Sequence, residues 1–130
     1  MMNMSAIDTL DLAEKAAQLL HLLGQAERLS ILLAIGNGEA CVCHLEAALG
    51  LRQAYISQHL MTLRQAGVVT ARRDGRNIFY RLETPDLLDL IHQTGRLAGL
   101  PETELLFPAH PAVLGNCPCP HCTGEERACG

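Results

Sequence analysis

Residues 53–82 read QAYISQHLMTLRQAGVVTARRDGRNIFYRL, and the hydrophobic period changes once within them. From Gln53 to about Ala66 the apolar residues Ile56, Leu60 and Leu63 recur at helical spacing, and Gly67 ends the run. Val68 to Arg73 and Asn77 to Leu82 are then two short β-like runs around Asp74-Gly75, a dipeptide that signals a tight hairpin. Just upstream, a short element from about Cys41 to Leu49 is closed by Gly50. The three-to-four-residue turn left before Gln53 suits a pair of helices that read DNA.

Working outward, a helix is expected from about Glu27 to Ile35, with Leu29, Leu32 and Leu33 inward and Gly36-Asn37-Gly38 as its stop. Residues 8–23 carry the stripe Leu12, Ala16, Leu19, Leu20 and Leu23, and about Pro85 to Ala98 offers Leu87, Leu90, Ile91 and Leu97 for burial. Helix, helix, glycine turn, helix, hairpin is the order of a winged helix-turn-helix, mainly α with a small β-hairpin. Five of the six prolines fall at 101, 108, 111, 118 and 120, so residues 1–99 read as the domain and 100–130 as a Pro/Cys-rich tail.

Composition narrows the class. In 130 residues, 48% are hydrophobic, there is no Trp, and the aromatics are Tyr55, Phe79, Tyr80 and Phe107, so the core is mostly Leu and Ala and favours packed helices. No apolar run reaches the ~18 residues a bilayer span needs. Met1 to Lys15 is acidic and lacks the basic-then-apolar order of a signal peptide, so a cytoplasmic protein without a membrane partner is expected. In a reducing compartment, six cysteines read as metal ligands or reactive thiols before structural disulfides.

The net charge of −4 argues against a polyanion binder until its distribution is read. Between Arg52 and Arg81 six arginines (52, 64, 72, 73, 76, 81) face one acid, Asp74, for +5, while the rest of the chain holds four basic and thirteen acidic residues, for −9. A cationic segment on an acidic body points to nucleic acid. With Ile56, Leu60 and Leu63 buried, Ala54, Tyr55, Gln58, Thr62 and Gln65 face outward and Ser57 flanks them. Amide, hydroxyl and small side chains suit base edges in the major groove, best from the helix N-terminus where Arg52 and Gln53 lie. Arg64 adds charge, and Arg72, Arg73 and Arg76 make the hairpin a cationic wing for phosphates. His59 lies beside the buried face and divides between packing and DNA contact.

Cys41-Val42-Cys43 has two open readings, an ion site or two small buried apolar residues. Positions i and i+2 stand about 200° apart on a regular α-helix, so two thiols converge only at a helix start. A helix N-terminus also favours thiolate.

At these residues the chain resembles the arsenic-repressor (ArsR/SmtB-type) family of metal-sensing winged-helix repressors. The resemblance covers roughly residues 12–98 and is carried by Arg28-Leu29-Ser30-Ile31-Leu32, Cys41-Val42-Cys43-His44-Leu45, Ile56-Ser57-Gln58-His59-Leu60, Leu63 to Val69, and Arg73 to Leu82. It implies a homodimer pairing through the first and last helices, an apo form bound to a palindromic double-stranded operator, and release when a metal or metalloid binds. It further implies that Cys41 and Cys43 are a thiolate site for arsenite, antimonite, cadmium or lead. The family's usual Ser or Thr opening the recognition helix is replaced here by Arg52, a capping oxygen exchanged for a possible phosphate contact. The family's zinc site on the last helix lacks its His-x-x-Glu half, although Asp86, Asp89 and His92 are present.

Two thiolates leave a soft ion under-coordinated, and Glu46 stands where some relatives have a third cysteine. Cys117, Cys119 and Cys122 lie within six residues of the tail, and one or two of them, from the same or the partner subunit, are the expected further ligands. Trivalent arsenic or antimony suits three thiolates, and Cd(II), Pb(II) or Zn(II) are the alternatives. The tail could also hold Zn²⁺ alone, through Cys117, Cys119, Cys122 and either His121 or Cys129. Cys119-x-x-Cys122 as an enzyme's redox pair is disfavoured, because it opens no expected helix and follows no strand. A regulator rather than an enzyme is expected, and a thiol redox switch on the same cysteines is a separate reading.

Overall fold

The computed structural model describes residues 8–101. Its elements are α1 Thr9–Leu23, α2 Ala26–Ile35, β1 Ala40–Cys41, α3 Val42–Leu49, α4 Gln53–Gln65, β2 Val69–Asp74, β3 Asn77–Leu82 and α5 Asp86–Leu97. Helices and hairpin fall where the periods place them. The core lies where α2, α3 and α4 meet: Ile31, Leu32, Ile35, Leu45, Ile56, Leu60 and Leu63 are fully buried. Each such side chain stabilises the fold by roughly 1.5–3 kcal/mol relative to exposure.

Gly50 ends α3 in the left-handed region at φ 69°, with its N–H donating to the Glu46 carbonyl. That conformation, favoured by glycine, turns the chain from α3 into α4. In the hairpin Asp74 pairs with Asn77, so the two-residue loop is Gly75-Arg76. Gly75 has φ 65° and no described non-glycine residue has positive φ, which fits a type II′ turn with glycine first.

Two features differ from the sequence expectation. The sheet has three strands, in the order β1-β3-β2, because Ala40 and Cys41 pair with Tyr80 and Phe79. A two-residue strand is too short to show a period. Second, only Leu23 of the α1 stripe enters this chain's core. Leu23 is buried, but Leu12 is 60% and Leu20 55% exposed. Likewise α5 buries Leu87 and Leu88 and leaves Leu97 88% exposed. Among the described residues no helix is long and apolar enough to cross a membrane.

Candidate functional site

The helix pair α3–α4 presents its second member as expected. Ile56, His59, Leu60 and Leu63 are the buried positions of α4, while Gln53, Ala54, Tyr55, Gln58, Arg64 and Gln65 are exposed. Arg52 is the N-cap residue of α4 and makes no side-chain capping bond, leaving its exposed guanidinium beside the positive end of the helix dipole. Gly50, Leu51, Arg52, Ala54, Tyr55 and Gln58 line an open cleft at that end. Ser57 and Thr62 are half-buried, and the Thr62 hydroxyl donates to the Gln58 carbonyl at 3.2 Å.

His59 is packed rather than presented, with 7% of its surface exposed. Its Nδ1 accepts from Arg28 Nε at 3.1 Å, so the neutral ring carries its proton on Nε2, which is buried without a hydrogen-bond partner among the described residues. Arg28 Nη1 also donates to the Leu22 carbonyl at 2.8 Å, tying the end of α1 to the recognition helix. Desolvation, reinforced by the Arg28 guanidinium and opposed by Glu27, holds the His59 imidazole below its ordinary value of 6.5. Tyr55 packs edge-on against it, ring centroids 4.6 Å apart. A buried His59 thus supports the exposed Tyr55.

The wing is less uniformly cationic than its composition. Arg73 and Arg76 are exposed, but Arg72 makes a forked pair with Glu39, Nε to Oε2 at 3.0 Å and Nη2 to Oε1 at 2.7 Å. Its guanidinium lies 5.1 Å from the Phe79 ring centroid, and Asp74 approaches Nη1 at 3.7 Å. The pair holds the Glu39 carboxyl below the usual carboxylate range, with its hydrogen bond the leading cause. Neither Glu39 nor the role of Arg28 was evident from sequence. Each bond joins residues more than thirty positions apart, beyond any local pattern.

Cys41 and Cys43 straddle the strand-to-helix junction. Cys41, at φ −91° and ψ 169°, is both the last residue of β1 and the N-cap of α3, and is 1% exposed. Cys43 lies in the first helical turn, also buried. This is the helix start at which i and i+2 can converge. Among the described residues no group of three or more His, Cys, Asp or Glu is placed to hold a metal ion. Cys117, Cys119 and Cys122, expected as further ligands, lie outside the described residues.

Residues 26–71, from α2 through the glycine turn and α4 into the wing, match the model of the bacterial regulatory protein arsR family. Over 93 residues the chain is 39% identical to a biofilm growth-associated repressor of Agrobacterium fabrum, covering 72% of this chain and 80% of the relative. The chain belongs to the arsR family. Similarity to an arsenic resistance transcriptional regulator of Pseudomonas putida is higher but shorter, 47% over 64 residues, or 48% of this chain and 49% of that one. A homodimeric winged helix-turn-helix DNA-binding domain from Mycobacterium bovis superposes with a TM-score of 0.62 at 28% identity, covering 75% of this chain and 90% of that one. As a member of the arsR family the chain is a DNA-binding transcriptional regulator, not an enzyme, and relatives such as the Agrobacterium fabrum protein are named repressors.

Proposed function

We propose that the chain is a cytoplasmic homodimeric repressor that holds a palindromic operator in its apo form and releases it when arsenite or antimonite binds its cysteine thiolates. One observation carries this reading. Cys41 and Cys43 lie where a wing-pairing strand becomes the helix packed on the recognition helix, so an ion drawing them together reshapes the junction between both DNA-facing elements. Arg52, Gln53, Ala54, Tyr55 and Gln58 are the direct readers, Ser57 and Thr62 flank them, and Arg64, Arg73 and Arg76 contact phosphates. His59 acts behind Tyr55. The exposed leucines of α1 and α5 pair with those of a second copy. Cys41, Cys43 and one or two of the tail cysteines 117, 119 and 122 supply the thiolates, and the similarity to an arsenic resistance regulator favours a metalloid over cadmium, lead or zinc.

Arsenite binding to the reduced full chain tests the ligand set. Replacing Cys41 and Cys43 with serine abolishes stoichiometric binding, and replacing Cys117, Cys119 and Cys122 weakens it at least about tenfold, since two thiolates leave the ion under-coordinated. Unchanged affinity in the tail variant contradicts the ligand set.

The helix start that favours thiolate at Cys41 and Cys43 also supports a second reading, a redox switch on the same cysteines. Two thiols would lose two protons and two electrons to an oxidant such as peroxide, forming the disulfide. Cys43 cannot then ligate an ion, so the two inputs exclude one another at that sulfur.

A further inference from the structure

Three residues form one rank across the sheet. Pairing of β1 with β3 sets Cys41 opposite Phe79, and pairing of β2 with β3 sets Arg72 opposite the same Phe79. Residues directly opposed in an antiparallel sheet project from the same face, with their Cβ atoms about 4.5–5.5 Å apart. The order across the face is therefore a sensing cysteine, an aromatic ring, and a guanidinium 5.1 Å from that ring's centroid. The rank closes on itself through Glu39, two residues before Cys41, which grips Arg72 with both carboxylate oxygens at 2.7 and 3.0 Å. The segment leading into Cys41 is thus fastened to the wing twice, by backbone pairing to β3 and by side chains to β2.

We propose that Arg72 is a coupling residue, clamped by Glu39 and stacked on Phe79 so that a change at Cys41 moves the wing. The proposal rests on the sensing role given above. Arg72 stands within β2 opposite Phe79 and engages a carboxylate with the same fork a phosphate would need. The exposed tip, Arg73 and Arg76, is what the clamp positions. With the Arg72 side chain 52% exposed and that of Glu39 30%, the ion pair adds little to stability. Its role is geometric, and variants that lose it stay folded.

The test uses reduced full-length protein and DNA from its own promoter, with the DNA Kd measured by fluorescence anisotropy with and without arsenite. The ratio of the two values is the coupling, and an affinity change common to both states cancels from it. Glu39→Gln removes one half of the fork. Arg72→Lys keeps a cation for phosphate but loses the planar fork and the stacking. Both variants are expected to lower the ratio at least about fivefold, within the span of ordinary allosteric couplings. A wild-type ratio in both overturns the proposal, and so does one retained by Arg72→Lys, because a lysine serves a phosphate contact but not this clamp. If wild-type protein itself ignores arsenite, cadmium and peroxide, the sensing role falls and takes the proposal with it. A responsive wild type with unaltered variants defeats the proposal alone.

Discussion

His59 shows at the residue scale how a polar side chain in a DNA-reading helix serves from behind. Its Nδ1 receives a hydrogen bond from Arg28, and its ring supports Tyr55. Removing the acceptor while keeping an apolar shape leaves a part-buried guanidinium donor unsatisfied, so His59→Leu costs about 1–3 kcal/mol in urea unfolding. Desolvation, with Arg28, holds the folded pKa of His59 below the ordinary 6.5. The unfolded chain therefore binds the proton more readily. The stability this neutral histidine contributes is complete above pH 6.5 and is lost as pH falls from there through the lower folded value. His59→Gln keeps an acceptor for Arg28 and does not titrate. Its unfolding free energy is expected to fall less than wild type's between pH 7.5 and 5.5, and an equal fall contradicts the account.

At the scale of elements, α4 begins with an uncapped turn. Arg52 offers charge where a hydroxyl or carboxylate would accept a backbone N–H. Arg52→Ser is expected to raise stability by ~1 kcal/mol in thermal or urea unfolding. It should also weaken operator binding and reduce the slope of log K against log salt by about 0.9, one phosphate contact. A stabilised variant with an unchanged slope would make Arg52 a bystander. Element types and most boundaries were legible because their periods are local: Ile56, Leu60 and Leu63 report a helix by themselves, and Asp74-Gly75 a hairpin. Strand β1 was not, since two residues carry no period and its partner Phe79 is remote in sequence. The Arg72–Glu39 fork was hidden for the same reason, so a composition that reads as three wing arginines resolves into two at the tip and one in a clamp.

For the whole molecule, the apolar stripes of α1 and α5 were correctly read as apolar, but periodicity does not say what covers a face. Leu10, Leu12, Leu19 and Leu20 on α1, with Leu97 and Leu100 at the other end, are exposed in the isolated chain. A groove lined by Leu20, Leu23, Leu33, Leu90 and Ile91 lies between these helices. A second copy would cover this surface and set two recognition helices side by side, as a two-fold operator requires. The cysteine junction then sits between each subunit's reading helix and its wing. A coupling of ~3 kcal/mol there would weaken DNA binding about 150-fold.

The most direct measurement is fluorescence anisotropy of promoter DNA bound by the fully reduced full-length protein. Arsenite, antimonite, cadmium, lead and zinc are titrated in parallel without thiol chelators, and peroxide separately. The account predicts tight apo binding and release at near-stoichiometric arsenite or antimonite. DNA binding indifferent to every ion and released only by peroxide would replace the metalloid site with a disulfide switch, and indifference to peroxide as well would contradict sensing at Cys41 and Cys43 altogether.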